Sequence, residues 1–277
     1  MREVPFYLPC MKEVPDHPQR IISLSPSVTE ILFELGMGSR IVGISAFCGR
    51  PKETATKRKI GSYGHVREEL LRELDPDLIL MISGYQNSFY ENVSKNFPAY
   101  LFRLPVSVYD ILDLVYSVGL VVNEKLAAEK LLNSLVPALT FGSPEERFRT
   151  YVEIDLGGPV SFGSYSYITH ALSLTGFDSV LGNVDREWTG VDFDQIRELD
   201  PEVIIYEPKM YGRFNQNMIK EIMEKREWQG ISAVKTGNIF VTPGPLDFLA
   251  HHGPSFIREA LPWLHRVHSQ ASERDKG

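Results

Sequence analysis

The sequence predicts an α/β protein of two lobes, each built on a central parallel sheet, with a single long helix between them. Three observations carry this: a strand-turn-helix-strand opening, a twelve-residue unit that occurs once in each half, and a helical stretch separating the two copies. The copies run over residues 69–80 (ELLRELDPDLIL) and 194–205 (DQIRELDPEVII) and agree almost position for position. In each, a short helical segment stops at Asp-Pro and an apolar run follows. Proline cannot continue a helix, and an apolar run of that length suits a buried strand.

Along the chain, Ile21, Ile22, Ser23 and Leu24 form the first apolar strand. Ser25 before Pro26 suits a helix N-cap with proline at the first helical position, and Ser27 with Glu30 offers a capping box as an alternative. Val28, Ile31, Leu32 and Leu35 follow at helical spacing, Gly36 suits the stop, and residues 40–45 supply a second strand. A βαβ unit of this kind argues for a parallel sheet. Residues 107–139 read as helix, broken near Gly119 to Asn123, with Asn123 as cap of the second piece and Pro137 and residues 142–144 closing it. A connecting helix of about sixteen residues would span roughly 24 Å. The second lobe opens with a strand at 149–155 and ends with a strand at 238–242 and a helix from about 254 to 267. The expected domains are an N-terminal lobe at 17–122, a connection at 123–143 and a C-terminal lobe at 144–268.

Of the 277 residues, 43% are hydrophobic and 23% charged, which excludes long disorder and a fibrous chain. A net charge of -7 supplies no diffuse positive field for nucleic acid. Cys10 and Cys48 are too few for a disulfide scaffold or a zinc site and leave room for one bridge. No stretch approaches a spanning helix, and residues 1–10 have no apolar signal region. Either an export signal has been removed or the protein works inside the cell.

Motifs for nucleotide binding, for a nucleophile elbow and for a zinc protease do not occur. Instead, aromatic and glycine-rich segments fall where strands end, around Phe47, Tyr63, Tyr85, Phe162, Tyr165, Trp188 and Phe248. Ligands of open α/β sheets bind outside the carboxyl ends of the strands, and Tyr and Trp there offer stacking faces with a polar handle. His65, His170, His251 and His252, with Cys48 or Asp247, have residue types that bind metals but no diagnostic spacing. A contact between one histidine and a bound chelate, or ordinary hydrogen-bonded histidine, are the competing readings. An α/β enzyme using His251 or His252 as acid or base with Asp247 is the rival from another class.

Residues 20–45 (RIISLSPSVTEILFELGMGSRIVGIS) resemble the opening of the periplasmic binding proteins that serve ABC importers of cobalamin, siderophores and haem, most closely the cobalamin branch. Phe47-Cys48-Gly49-Arg50-Pro51, Lys59 to Tyr63, both Asp-Pro repeats and the final helix after His252-Gly253-Pro254 extend the resemblance over about residues 17–268. It implies two Rossmann-like lobes joined by one long helix, no enzymatic activity, no cofactor, and no resident metal. It also implies that Tyr63 and Trp188 stack on the ligand, with Tyr85, Phe162 and Phe248 on other pocket loops; Phe47, Arg50, Tyr165 and His252 complete the expected ligand contacts. Arg50 stands where cobalamin binders often carry an aromatic residue and favours an anionic chelate. One acid per lobe, Glu69 and Asp194, is implied as the contact with a permease dimer and its ATPase subunits. The expected protein is a monomer outside the cytoplasmic membrane, binding cobalamin or another metal chelate such as a ferric siderophore or haem. An intracellular corrinoid-binding module is the alternative.

Overall fold

The computed structural model describes residues 14–140, 142, 144–212 and 214–275. Cys10, and with it any bridge to Cys48, lies outside the described residues. Two compact units are present, one of the chain up to Pro105 with Tyr109–Pro137, the other of Val106–Val108 with the chain from Ala138 on.

Among the described residues the first unit holds five strands, β1 (Ile21–Ser23), β2 (Ile41–Ser45), β3 (Lys59–Gly61), β4 (Leu78–Ile82) and β5 (Ala99–Phe102), all parallel in the order β3-β2-β1-β4-β5. Every residue of β1 and β4 is buried, as expected of a parallel sheet covered on both faces. Its helices are α1 (Pro26–Glu34), α2 (Glu68–Leu74), α3 (Asn87–Val93), α4 (Val108–Val121) and α5 (Lys125–Leu135). Pro26 starts α1 behind an extended Ser25, but the Ser25 hydroxyl bonds the Ser27 hydroxyl at 2.9 Å instead of capping a backbone N–H. Gly36 ends the turn after it with φ +77°, a conformation glycine adopts without cost.

Asn123 does not cap α5. It takes φ 62°, a left-handed conformation that asparagine tolerates, and makes the turn from α4, leaving Glu124 at the cap position. A 3-10 turn, Val136–Leu139, follows the eleven residues of α5. Ala128, Leu131 and Leu135 form its buried face.

The second unit contains β6 (Phe148–Asp155), β7 (Pro159–Phe162), α6 (Tyr167–Leu174), β8 (Phe177–Ser179), β9 (Trp188–Gly190), α7 (Phe193–Leu199), β10 (Val203–Glu207), α8 (Gln216–Lys225), α9 (Ser232–Thr236), β11 (Ile239–Val241) and α10 (Leu261–Asp275). The sheet runs β11-β10-β6-β7-β9, with β8 also on β6. Strands β6, β8, β10 and β11 are parallel, whereas β7 and β9 add an antiparallel ribbon. The sequence-based expectation contained only the parallel part. The ribbon arises because β6 turns straight back through Gly157 and Gly158, with Gly157 at φ +102°.

The repeated unit is real in three dimensions. Helices α2 and α7 each end on a left-handed aspartate, Asp75 at φ 42° and ψ 63° and Asp200 at φ 43° and ψ 66°. Two residues later an acid closes the start of the neighbouring strand. Asp77 accepts from the backbone N–H of Gln19 and Arg20 at 2.6 and 2.9 Å, and Glu202 accepts from the N–H of Arg149 at 2.8 Å. The arginines answer in turn: Arg20 Nε donates to the Leu74 carbonyl at 3.1 Å, and Arg149 donates to the Leu199 carbonyl at 2.9 Å. Each copy is thus a latch that satisfies helix-end carbonyls and strand-start amides together.

Below the second sheet, Glu153 of β6 is buried and forms a two-pronged ion pair with Arg226 at 2.7 and 2.8 Å. The Tyr151 hydroxyl adds a bond of 2.6 Å, and the guanidinium lies 4.1 Å from the Phe193 ring centroid. A charge pair survives burial only with partners of this kind.

Candidate functional site

In the first unit the aromatic residues singled out from sequence stand at the carboxyl ends of the parallel strands. Phe47 follows β2, Tyr63 follows β3 and Tyr85 follows β4; Phe47 and Tyr85 are 42% and 77% exposed. Arg50 is half-buried in the loop after Phe47. The rings of Tyr63 and Tyr85 are neighbours, with centroids 6.3 Å apart and planes tilted by 36°. Glycine at position 64 is what permits this, because a Cβ there would lie 2.4 Å from Cε1 of Tyr85. The loops beneath are joined by Gln86, a fully buried side chain that the sequence reading passed over. Its only sequence signal is its place inside a strand-end loop, Tyr85-Gln86-Asn87.

Cys48 lies under this edge, fully buried. Its thiol bonds Thr29 Oγ1 at 3.0 Å and Ser45 Oγ at 3.3 Å, and burial pushes its pKa up. A thiol so held is a small core group.

In the second unit Phe162 and Trp188 stand directly opposite each other on β7 and β9, so their side chains leave the same face of the ribbon. Trp188 is 58% exposed and Tyr165, in the loop after β7, 54%. That loop is stitched to the segment leading into β9: the N–H groups of Gly163, Ser164 and Tyr165 donate to the carbonyls of Glu187, Val184 and Arg186 at 3.2, 2.8 and 3.1 Å. Gly163 is required there, since a Cβ would sit 2.2 Å from the Val184 carbonyl oxygen.

Phe248 and His252 are placed differently, each only 7% exposed. The Phe248 ring packs edge-on against Trp263 at 5.6 Å, and His252 against Tyr167 at 5.7 Å. His251 is buried as well. Among the described residues the His252 Nε2 has no hydrogen-bond partner, and burial, with the neighbouring His251 second, pushes its pKa down to about 3. This loop is held from below by Glu207, the last residue of β10. The Glu207 carboxylate accepts from the backbone N–H of Leu249 and, at 3.2 Å, of Ala250, while the Tyr167 hydroxyl donates to the Leu249 carbonyl at 2.6 Å. Burial pushes Glu207 up to about 7 against the pull of those amides. An acid closing the apolar run Val203–Glu207 was the available sequence signal.

His65 is exposed, and His170 accepts from the N–H of Val108 at 3.0 Å. Among the described residues no group of three His, Cys, Asp or Glu side chains is placed to hold a metal ion. Glu69 and Asp194, at matching positions of α2 and α7, are both exposed in the first turn of their helices, and Asp194 pairs with Arg197 at 2.7 Å.

Two α/β units whose strand ends present exposed aromatic rings have the build of a solute-binding protein. The chain belongs to the periplasmic binding protein family, whose profile matches residues 21–246. This is a family of solute-binding transport proteins, not a class of enzymes. Among its relatives is an uncharacterized ABC transporter substrate-binding lipoprotein of Bacillus subtilis, 24% identical over 87% of this chain and 77% of that one. A cobalamin-binding protein of Halobacterium salinarum is 25% identical over 68% of this chain, which spans about half, 53%, of that relative's length. The fold is shared with the periplasmic heme-binding protein of Roseiflexus, with a TM-score of 0.76 at 17% identity over 91% of this chain and 98% of that one. No described helix is long and apolar enough to cross a membrane.

Proposed function

We propose that this chain is the substrate-binding component of an ABC importer and that it carries cobalamin or a related corrinoid outside the cytoplasmic membrane. The observation that supports this reading most directly is the set of aromatic side chains at strand ends, exposed Phe47 and Tyr85 with half-buried Tyr63 in one unit, and exposed Tyr165 and Trp188 with half-buried Phe162 in the other. Large flat ligands with apolar faces gain most from such rings. On this reading Phe248 and His252 support the contact surface from within the second unit, residues 123–143 connect the two lobes, and the protein acts as a monomer. Glu69 and Asp194 meet the permease dimer, which works with its ATPase subunits. The cobalamin-binding relative supports the ligand class.

A second reading, haem or a ferric siderophore, is favoured by Arg50 beside Phe47, since a guanidinium pairs well with carboxylates. Titration with cyanocobalamin, haemin and a ferric hydroxamate, followed by intrinsic fluorescence and ligand absorbance, separates the two. Tight binding of cyanocobalamin is expected, weakened roughly thirtyfold in Tyr63→Ala with Trp188→Ala, taking about 1 kcal/mol per stacked ring. Binding of haemin or ferric hydroxamate alone would replace the corrinoid reading, and wild-type affinity in the double variant would end the stacking argument.

A further inference from the structure

The carboxamide of Gln86 spends its hydrogen bonds on three separate strand ends of the first unit. Its Oε1 accepts from the N–H of Ile82 at 2.8 Å, at the end of β4. Its Nε2 donates to the carbonyl of Leu24 at 3.1 Å, just past β1, and to the carbonyl of Tyr63, just past β3. In the strand order β3-β2-β1-β4-β5 successive strands are added on one side of β1 up to β3 and on the other side from β4, so the order reverses between the parallel strands β1 and β4, which is where a doubly wound sheet leaves its ligand crevice. Backbone groups at strand ends that turn into loops have lost their ladder partners and must be satisfied by something else. One acceptor and two donors on one planar group are needed here, and among the side chains of this size only a carboxamide supplies them.

One of the three bonded positions carries a ring of the platform, and the other ring stands next to Gln86 in the chain. Tyr63 is itself a bonded residue and Tyr85 precedes Gln86 directly, so the strut sets both backbones beneath the ring pair. From the other side Gly64 lets the Tyr85 ring settle across the loop of Tyr63. Gln86 is fully buried and offers nothing to a ligand.

We infer that Gln86 is the positioning residue of the ligand platform: it holds Tyr63 and Tyr85 at their spacing before a ligand arrives. The inference rests on the reading of these two rings as ligand contacts. A platform fixed in advance removes the ordering cost from the binding step. Gln86→Met keeps the length and removes both donors and the amide acceptor. It should therefore lower affinity for cyanocobalamin about tenfold while leaving Tyr63, Tyr85 and their chemistry intact.

The test labels the 12 tyrosines with 3-fluorotyrosine and reads them by fluorine NMR without ligand, the two platform signals being assigned with Tyr63→Phe and Tyr85→Phe. In Gln86→Met the signals of Tyr63 and Tyr85 should move and broaden, and the remaining ones should stay. Unchanged signals at both positions would overturn the inference, and so would a change spread over all tyrosines, which would make Gln86 a plain stability residue. If Gln86→Met does not fold, the wild-type side-chain amide protons of Gln86 decide. Slow exchange with solvent supports the strut, and free exchange overturns it. Failure of the wild type to bind cyanocobalamin or haemin would count against the proposed function alone, because the ligand-free spectra still report on the strut.

Discussion

Replacement of Glu207 by Gln tests the two buried titrating groups under the loop that carries Phe248 and His252. Burial, aided by Asp247 and opposed by the amides of Leu249, Ala250 and Phe248, raises Glu207 from 4.5 to about 7. For this group the native state holds the proton more tightly than the unfolded chain. Its contribution is present in full below about pH 4.5 and is lost as pH rises to about 7, a difference of roughly 3 kcal/mol at 1.36 kcal/mol per unit. His252 behaves oppositely. Lowered from 6.5 to about 3 by its burial, it contributes fully above about pH 6.5 and loses that contribution as pH falls toward 3. Between about pH 4.5 and 6.5 the two slopes are equal and opposite, so wild-type stability should show a plateau there from these groups. Glu207→Gln removes one slope and exposes the other. Stability of the variant should climb with pH by roughly 1.4 kcal/mol per unit up to about pH 6.5 and then level off. Relative to wild type, the variant should gain roughly 3 kcal/mol between pH 4 and pH 8. Urea unfolding followed by tryptophan fluorescence measures this on the correct unit, because all 3 tryptophans, Trp188, Trp228 and Trp263, lie in the second one. Parallel pH profiles for wild type and variant would refute the reasoning.

Arg226→Ala should destabilise the second unit by about 3–5 kcal/mol, since it strands the buried Glu153 carboxylate, and the same unfolding assay reads it. Gly163→Ala drives a Cβ into the Val184 and Arg186 carbonyls, so a cost of about 1–3 kcal/mol is expected together with weaker ligand binding through a displaced Tyr165; unaltered affinity would separate that loop from the ligand surface. Glu69→Lys and Asp194→Lys should leave ligand affinity within about twofold, as exposed charges that are not among the proposed ligand contacts, while abolishing ligand-dependent ATPase stimulation of the reconstituted permease. Loss of ligand binding with ATPase stimulation retained would contradict the assigned docking role.

The local features of this protein were legible in its sequence because they depend on near neighbours. The strand at residues 21–23, the start of α1 at Pro26, the stop at Gly36 and both Asp-Pro joints rest on spacing, proline geometry and side-chain size within a few positions. So did the presence of aromatic rings at strand ends, since the loop after an apolar run must fall there. What the rings meet was decided by tertiary structure. Phe248 and His252 look like Phe47 and Tyr85 in a loop-by-loop reading, yet they are buried against Trp263 of α10 and Tyr167 of the remote α6. Gln86 reads as an ordinary polar loop residue until strand order brings Leu24 and Tyr63, 62 and 23 residues away, to its two donors. The latches of Arg20 with Leu74 and Arg149 with Leu199 likewise cross 54 and 50 residues. Contacts of that separation come into being only when the sheet order is set, and that order is chosen by the burial of whole strands and helices, a sum over the chain that no local pattern contains.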